Sequence, residues 1–352
     1  PGSGDAGTPL GGPGESGESG ESGTAPGPAR AAPAVAPADP RVAEVLERVW
    51  GYETLRPLQA EAIALGVEGR DGLVVMPTGA GKSLCYQVPP LVDGRLRVVV
   101  SPLISLMKDQ VDGLRALGYP AAALHSALER AERDAVVEGL REGRWRLLYV
   151  SPERLALEGF REALRRADVA AFAVDEAHCI SHWGHDFRPD YRQLEGLRER
   201  FPGVRVQAFT ATATPRVRED ICHQLGLRDP AVLVGSFDRP NLTYRMRYRE
   251  DLPGQTAEAI ARHEGEACIV YCISRRDTEQ LAEQLGRRGV DAVAYHAGLP
   301  PRRRLKVQED FSAERRNVVV ATVAFGMGID RSDVRCVVHA AMPKSIDHYQ
   351  QE

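Results

Sequence analysis

The sequence predicts an α/β fold with two lobes, each a parallel β-sheet flanked by helices. From Asp39 onward, short apolar runs rich in β-branched residues alternate with amphipathic helical stretches. Continuous apolar runs of this kind are typical of strands that are buried on both faces of a parallel sheet. The alternation breaks near residues 237–241 and then resumes, so we expect two lobes joined by a linker.

The first series of apolar runs gives seven predicted strands and the second gives four. In the first lobe they cover residues 73–76, 97–101, 121–125, 146–151, 171–175, 206–210 and 231–235. In the second lobe they cover residues 268–273, 291–296, 317–322 and 334–339. We therefore divide the chain into a tail at 1–38, a first lobe at 39–236 and a second lobe at 237–352.

Residues 1–38 consist mainly of Gly, Pro, Ser, Ala and Glu, with almost no large apolar side chain. Such a segment cannot bury enough apolar surface to offset the entropy of ordering, so we predict a disordered tail. Its four acidic residues and one arginine account for −3 of the net charge of −4. The nearly neutral remainder argues against a broad positive field for DNA, but it is compatible with a local basic groove.

Composition excludes several classes of protein. No apolar run approaches the roughly 18 residues of a membrane span, and the first residues lack a secretory pattern. The six cysteines form no Cys-x-x-Cys pair, so we predict reduced and mostly buried thiols. Cys268 and Cys272 lie on one predicted strand, where packing explains them better than metal binding. We expect a cytoplasmic protein without membrane contact.

A glycine-rich loop follows the first predicted strand and precedes a helical pattern. It reads Met76-Pro77-Thr78-Gly79-Ala80-Gly81-Lys82-Ser83. Backbone N–H groups in such a loop turn toward phosphate oxygens, Lys82 would neutralise the outer phosphates, and Ser83 would coordinate magnesium. The strict pattern has glycine in place of Met76, but Gly-Lys-Ser between a strand and a helix is specific enough to predict an ATP site.

An acidic pair follows the fifth predicted strand, in the order Asp175-Glu176-Ala177-His178. The carboxyl ends of parallel strands are where α/β folds bind ligands. We expect Asp175 to hold magnesium with Ser83, and Glu176 to orient and deprotonate the attacking water. An acidic pair after a strand is otherwise usually a helix cap, and it is the phosphate loop that favours the catalytic interpretation.

These two motifs together resemble superfamily two helicases, and the next segment narrows the resemblance to the RecQ family. Residues 181–189 read Ser-His-Trp-Gly-His-Asp-Phe-Arg-Pro, with Tyr191 close behind, and are similar to the aromatic-rich loop of RecQ DNA helicases. Trp183 and Phe187 offer faces for stacking on bases, and Arg188 offers charge for the DNA backbone. The resemblance implies two RecA-like lobes. It also implies catalytic roles for Lys82, Asp175, Glu176 and His178.

Further motifs match the family in order over residues 50–352. Tyr52, Arg56 and Gln59 resemble the motif that reads adenine, although Arg56 and Gln59 could instead be solvated side chains at a helix start. The small residues around Thr210 resemble a coupling motif but could equally serve tight packing. Beyond the aromatic-rich loop, the resemblance implies DNA contacts by Ser101, Lys108, Ser151, Thr210 and Thr322.

In the second lobe, residues 237–242 resemble the junction between lobes, and Gly328 and Asp330 would approach the nucleotide. Relatives complete their site with a Gly-Arg-x-Gly-Arg motif, which would fall after Glu352. Zinc-binding, winged-helix and small helical regions would also follow. We therefore expect this chain to bind ATP and DNA but to turn over poorly.

The resemblance implies a 3′–5′ DNA helicase that uses ATP and Mg²⁺ on single-stranded, branched or duplex DNA. It would be a monomer, associated with the nucleoid if bacterial. Two alternatives stay open: an ATPase that translocates on nucleic acid without separating strands, and a non-catalytic scaffold that binds ATP and DNA. Intact Lys82, Asp175 and Glu176 weigh against the scaffold. A small-molecule kinase would need neither Trp183 and Phe187 nor a second lobe.

Overall fold

The computed structural model describes residues 34–184, 187–236, 241–325, 331 and 333–352, which contain two fully parallel β-sheets. In this part of the chain the first sheet has seven strands: β1 (Gly72–Val75), β2 (Leu96–Val100), β3 (Ala121–Leu124), β4 (Leu147–Val150), β5 (Val169–Val174), β6 (Arg205–Thr210) and β7 (Ala231–Val234). The second has four: β8 (Ala267–Tyr271), β9 (Ala292–Tyr295), β10 (Val318–Ala321) and β11 (Val334–His339).

Helices connect the strands. Before β5 they are α1 (Pro40–Trp50), α2 (Pro57–Val67), α3 (Lys82–Gln87), α4 (Pro89–Asp93), α5 (Ile104–Ala116), α6 (Arg130–Arg141), α7 (Pro152–Leu155) and α8 (Glu158–Arg166). After β5 they are α9 (Leu197–Arg200), α10 (Pro215–Gln224), α11 (Leu252–Ala261), α12 (Arg275–Arg287), α13 (Pro301–Ser312) and α14 (Ile346–Gln351). Short 3₁₀ helices span Ala177–Ile180, Pro189–Leu194 and Val323–Phe325.

Each sheet is covered by an apolar core on both of its faces. In β1, Leu73 and Val75 belong to the core on one face, and Val74 belongs to the core on the other. In β8, Cys268 and Ile269 are divided between two cores in the same way. This two-sided burial is why the central strands have apolar residues at successive positions.

All eleven predicted strands are present, with ends that differ by at most two residues, so the α/β prediction is confirmed. Burial on both faces is wrong for the strands at two sheet edges, β7 and β11. Val232 and Val234 of β7 are 46% and 39% exposed, and Val337 of β11 is 43% exposed. Both are edge strands, but β3 at the other edge of the first sheet is fully buried, so the exposure of β7 and β11 reflects how far flanking elements cover each edge.

The start of the first lobe differs slightly from the prediction. Residues 1–33 of the predicted tail lie outside the described residues. Val35, however, pairs with Leu55 through two backbone hydrogen bonds of 2.7 and 2.9 Å. Ordered pairing therefore begins a few residues before Asp39. Among the helices that the structure describes, none has the length and apolar character to cross a membrane.

Strand order determines which loops meet. The first sheet runs β3-β4-β2-β5-β6-β1-β7, so β6 lies between β1 and β5. The second sheet runs β11-β8-β10-β9. Because neighbouring strands are parallel, the loops that follow β1, β5 and β6 emerge at one edge of the first sheet. The two predicted motifs are therefore separated there by the width of a single strand.

A buried carboxylate joins three segments at the opposite edge of the first sheet. Asp71 is 2% exposed and accepts hydrogen bonds from the backbone N–H groups of Val206, at 3.1 Å, and Arg228, at 2.8 Å. The guanidinium of Arg198 lies 3.1 Å from the same carboxylate and is also buried. Asp71 thus links the start of β1 to the segments before β6 and β7.

We predict that Asp71→Ala lowers the free energy of unfolding by about 3–5 kcal/mol, because it leaves Arg198 buried without its partner. Equilibrium unfolding in urea measures this change. Asp168→Ala is the matched control, since Asp168 forms an exposed ion pair with Arg95 and its loss should matter little. Equal losses in the two variants would contradict the role of Asp71.

Candidate functional site

The glycine-rich loop lies between β1 and α3, as predicted. Gly79 and Gly81 have φ angles of 76° and 81°, in the left-handed region that favours glycine. A Cβ atom at Gly81 would lie 2.2 Å from Nε2 of Gln59, so a side chain at this position would displace the Gln59 amide. Lys82 begins α3, and its Nζ donates to the carbonyl oxygen of Met76 at 3.2 Å.

Two side chains at the start of α2 hold this loop from outside. Arg56 donates from Nη1 to the carbonyl oxygen of Gly79 at 2.8 Å. Gln59 donates from Nε2 to the carbonyls of Ala80 and Gly81 at 3.1 and 3.2 Å, and its Oε1 accepts from the Arg56 N–H. Gln59 is buried, so the alternative of a solvated side chain is wrong for it.

The acidic turn follows β5 directly. The Asp175 N–H donates to the carbonyl oxygen of Val100 at 2.9 Å, and the Tyr191 hydroxyl donates to the Asp175 carbonyl at 2.7 Å. The Asp175 carboxyl is 6% exposed. Burial and then the charge of Glu176 raise the pKa of Asp175 to about 7, while the charge of Lys82 opposes the rise. The sheet has therefore brought the phosphate loop and the acidic turn into electrostatic contact.

His178 connects the acidic turn to the end of β6. Its Nδ1 lies 2.8 Å from the Thr210 hydroxyl and 3.4 Å from Oε2 of Glu176. The Thr210 hydroxyl donates its one proton to the Thr212 carbonyl at 3.1 Å, so it accepts from His178 and the imidazole carries its proton on Nδ1. All of these groups except Glu176 are buried. A displacement of the acidic turn would thus be transmitted to the segment after β6.

The aromatic-rich loop continues from the acidic turn and packs against α10. Ser181 donates from Oγ to Asp220 at 2.6 Å and accepts from the Trp183 N–H at 3.2 Å. Trp183 is 59% exposed, and the guanidinium of Arg216 lies 3.3 Å from its ring centroid. This cation–π contact covers one face of the indole ring and leaves the side chain at the surface.

Phe187 occupies a different environment in the same loop. Its ring is half-buried and stacks on His182 with 4.1 Å between ring centroids. The guanidinium of Arg192 lies 5.9 Å from its ring centroid. Of the two aromatic residues predicted to stack on bases, Trp183 is therefore the more accessible.

Known proteins with similar sequences match both lobes. Residues 56–221 match the DEAD/DEAH box helicase family, and residues 253–352 match the helicase conserved C-terminal domain. The chain is 46% identical to the ATP-dependent DNA helicase RecQ of Haemophilus influenzae over 89% of its own length and 51% of the relative. It is 44% identical to the ATP-dependent DNA helicase RecQ of Bacillus subtilis, over 89% of its own length and 53% of the length of that relative. The chain belongs to the RecQ family.

The chain spans about half the length of these RecQ relatives. Two solved structures share its fold. One is the Mycobacterium smegmatis helicase Lhr bound to single-stranded DNA and AMP-PNP, with a TM-score of 0.69, 21% identity and coverage of 89% of this chain and 45% of that one. The other is the DUF1998 helicase MrfA bound to DNA, with a TM-score of 0.72 and 18% identity. That match covers 92% of this chain and 50% of the MrfA chain.

The residues at which the RecQ resemblance implied DNA contacts are not equally accessible. Ser101 and Thr210 are almost fully buried, and Ser151 caps α7 by accepting from the Arg154 N–H at 3.4 Å. Lys108 is exposed on α5, and Arg188 and Thr322 are half-buried. The hydroxyls of Ser151 and Thr210 thus serve local structure, Thr210 through its contact with His178. The buried Ser101 hydroxyl has no hydrogen-bond partner among the described residues.

Several predicted residues fall outside the described part of the chain. They are His185 and Asp186 of the aromatic-rich loop, residues 237–240 of the predicted junction, and Gly328 and Asp330. Their roles in a RecQ site stay predictions. Tyr52 is described and is 51% exposed. Sequence reasoning missed Arg216, because no local pattern indicated that the first turn of α10 would lie against Trp183.

The raised pKa of Asp175 makes the stability of the ligand-free chain depend on pH. Folding favours the protonated carboxyl, so this stabilisation is complete below the ordinary pKa of 3.8 and is lost as pH rises through about 7. Asp175→Asn should therefore raise the melting temperature at about pH 8, with a gain that shrinks toward about pH 5. Asp168→Asn, at an exposed ion pair, should show no such gain. A pH-independent difference for Asp175→Asn would contradict the assignment.

Proposed function

We propose that this chain forms the motor of an ATP-dependent DNA helicase, in which ATP hydrolysis drives 3′–5′ movement on single-stranded DNA and separation of the duplex. We further propose that the chain by itself binds ATP and DNA but turns over poorly. The observation that carries the proposal is the continuity of residues 175–183, which lead from the acidic turn to the exposed Trp183. The names of the relatives and the DNA in the two neighbouring structures support DNA as the substrate.

The nucleotide site would be built from the loop at residues 76–83. Thr78, Gly79, Ala80 and Gly81 supply backbone N–H groups for phosphate oxygens, and Lys82 supplies a positive charge for the outer phosphates. Within the part of the chain that the structure describes, the Lys82 Nζ donates to the Met76 carbonyl, and it would release this bond on reaching a phosphate. Glu176 would orient and deprotonate the attacking water, with His178 holding the turn against Thr210.

The donor set fits magnesium held jointly by protein and phosphate. Among the described residues, no group of three or more His, Cys, Asp or Glu side chains could hold a metal alone. Mg²⁺ in such sites uses one or two protein oxygens together with phosphate and water. We assign Ser83 and the carboxylate of Asp175 to it. When bound, the ion would neutralise charge on the phosphates and favour ionised Asp175.

We assign base recognition to Tyr52, Arg56 and Gln59, and a nucleotide contact from the second lobe to Gly328 and Asp330. Tyr52 presents an exposed ring for stacking on adenine. Arg56 and Gln59 already donate hydrogen bonds to the phosphate loop, so their positions would depend on the geometry of the loop as well as on the bound base. This arrangement would make base binding and phosphate binding interdependent.

On the DNA side, Trp183 would stack on a base, with Phe187 beside it. Lys108, Arg188 and Thr322 would contact the backbone, and contacts of this kind carry no sequence preference. The hydroxyls of Ser101, Ser151 and Thr210 are buried, so the phosphate contacts that we assign to them would require local opening. We further propose that the protein acts as a monomer on cytoplasmic DNA, at the nucleoid in a bacterium.

Lys82→Ala should weaken ATP binding by roughly tenfold to a hundredfold, since a charged hydrogen bond to a phosphate contributes about 1.5–3 kcal/mol. Titration with a fluorescent ATP analogue in the presence of Mg²⁺ measures the affinity. Lys306→Ala, which removes an exposed lysine of α13, is the matched control. Unchanged affinity in Lys82→Ala would remove the basis for the nucleotide site.

Trp183→Ala should weaken binding of single-stranded DNA by about 1–3 kcal/mol, the value of one base stacked on an aromatic ring. Phe187→Ala should have a smaller effect because that ring already stacks on His182. Tyr248→Ala removes another exposed aromatic side chain and serves as the control. Fluorescence anisotropy with labelled oligothymidine measures all three. If Tyr248→Ala had the largest effect, the DNA interface would lie elsewhere.

Strand displacement decides between the helicase and its two alternatives. A helicase releases the labelled strand of a duplex with a 3′ single-stranded overhang in the presence of ATP and Mg²⁺. A translocase hydrolyses ATP and displaces a bound protein from single-stranded DNA without releasing the strand. A scaffold binds ATP and DNA and does neither. The assay requires the complete protein, because the chain spans about half of its relatives.

A further inference from the structure

Two cysteines face each other across neighbouring strands of the second lobe. Cys336 of the edge strand β11 is the register partner of Cys268 in β8, immediately after an irregularity at Arg335. Both side chains belong to the same core cluster, so they lie on the same face of the sheet. Neighbouring strands are about 4.7–4.9 Å apart, which is within the Cα separation of about 4.4–6.8 Å that a disulfide spans.

The two thiols differ in accessibility. Cys268 is fully buried, whereas Cys336 is half-buried at the edge of the sheet. The thiol of Cys268 hydrogen-bonds to Cys336 and is the main reason why the pKa of Cys336 falls to about 7 despite partial burial. The imidazole of His263 and the guanidinium of Arg262, just after the helix that packs on β11, lower the pKa of Cys336 further, and Glu266 opposes them. Cys336 is therefore the better nucleophile of the pair.

The other four cysteines lack this arrangement. Cys85 and Cys179 are buried in the first lobe, and burial raises the pKa of the half-buried Cys222. Cys272 follows the end of β8, and burial raises its pKa to about 11. In the register that the structure describes for β8 and β11, Cys268 and Cys336 are the cysteines that pair.

We propose that Cys336 and Cys268 form a reversible oxidation site, at which hydrogen peroxide converts the two thiols into a disulfide between β11 and β8. The Cys336 thiolate attacks one peroxide oxygen, the O–O bond breaks, and the released hydroxide takes a proton to form water. Cys336 is then a sulfenic acid. Cys268 loses its proton and attacks the Cys336 sulfur, which releases a second water. The two sulfurs supply the two electrons that reduce the peroxide.

The bond would fix the edge strand of the second sheet. β11 leads to α14, and His339 at its end packs against Tyr349 and lies 3.2 Å from Glu352. A disulfide from β11 to β8 would hold this end of the lobe to its central strands. The bond would also lower the conformational entropy of the unfolded chain, because it closes a long loop between Cys268 and Cys336. The oxidised protein should therefore melt at a higher temperature.

The test treats the full chain with hydrogen peroxide, blocks remaining thiols with N-ethylmaleimide and digests with trypsin without reduction. Mass spectrometry should find the peptide that starts at His263, with both Cys268 and Cys272, joined to the peptide that starts at Cys336. Fragmentation of the joined peptides locates the bond without any variant. Dithiothreitol should release it, and the melting temperature of the oxidised chain should fall by several degrees on reduction.

Matched variants separate the two possible partners. Cys272→Ser should keep the crosslink, whereas Cys268→Ser should lose it and leave Cys336 as a sulfenic acid that dimedone traps. Cys222, also half-buried, should be oxidised more slowly than Cys336. A bond to Cys272, a crosslink between chains, or oxidation of Cys222 ahead of Cys336 would each overturn the proposal. None of these results depends on the proposed helicase activity.

Discussion

The site in the first lobe depends on one constraint: β1 and β5 both pair in parallel with β6. This pairing keeps the phosphate loop and the acidic turn one strand apart, close enough for the charge of Lys82 to act on the pKa of Asp175. The intervening strand is also used chemically, since Thr210 at its end accepts a hydrogen bond from His178. A slip in the register of β6 would therefore disturb the nucleotide site and its connection to α10 together.

The sequence was sufficient to predict the features that depend on local pattern. The runs in β1 and β5 are continuous and apolar because both faces are buried, and the motifs after them follow a strand end, so their positions could be predicted. The exposure of β7 and β11 could not be predicted, because it depends on which edge strands the flanking elements leave uncovered in the tertiary structure. The contacts of Gln59, Thr210 and Arg216 could not be predicted either, since their partners lie far away in sequence and are brought near only by tertiary packing.

The aromatic-rich loop shows how a surface group can be tied to a buried one. Ser181 is fully buried, and its bond to Asp220 fixes the loop on α10 one residue before the exposed segment begins. A Cβ at Gly184 would lie 2.5 Å from the His178 carbonyl, so the loop turns directly against the acidic motif. A movement of the acidic turn can therefore be transmitted to the aromatic-rich loop, and the reverse, through a few packed residues.

The backbone conformation of Glu176 sets the stability of the chain against its proposed function. Its φ of 47° is in the left-handed region, where a residue with a side chain is strained by about 1–3 kcal/mol. Glycine would relieve that strain but would remove the carboxylate. A search for more stable variants of this chain would therefore select substitutions that remove the carboxylate to which we assign the activation of water, so thermostability alone is an unsafe guide for engineering it.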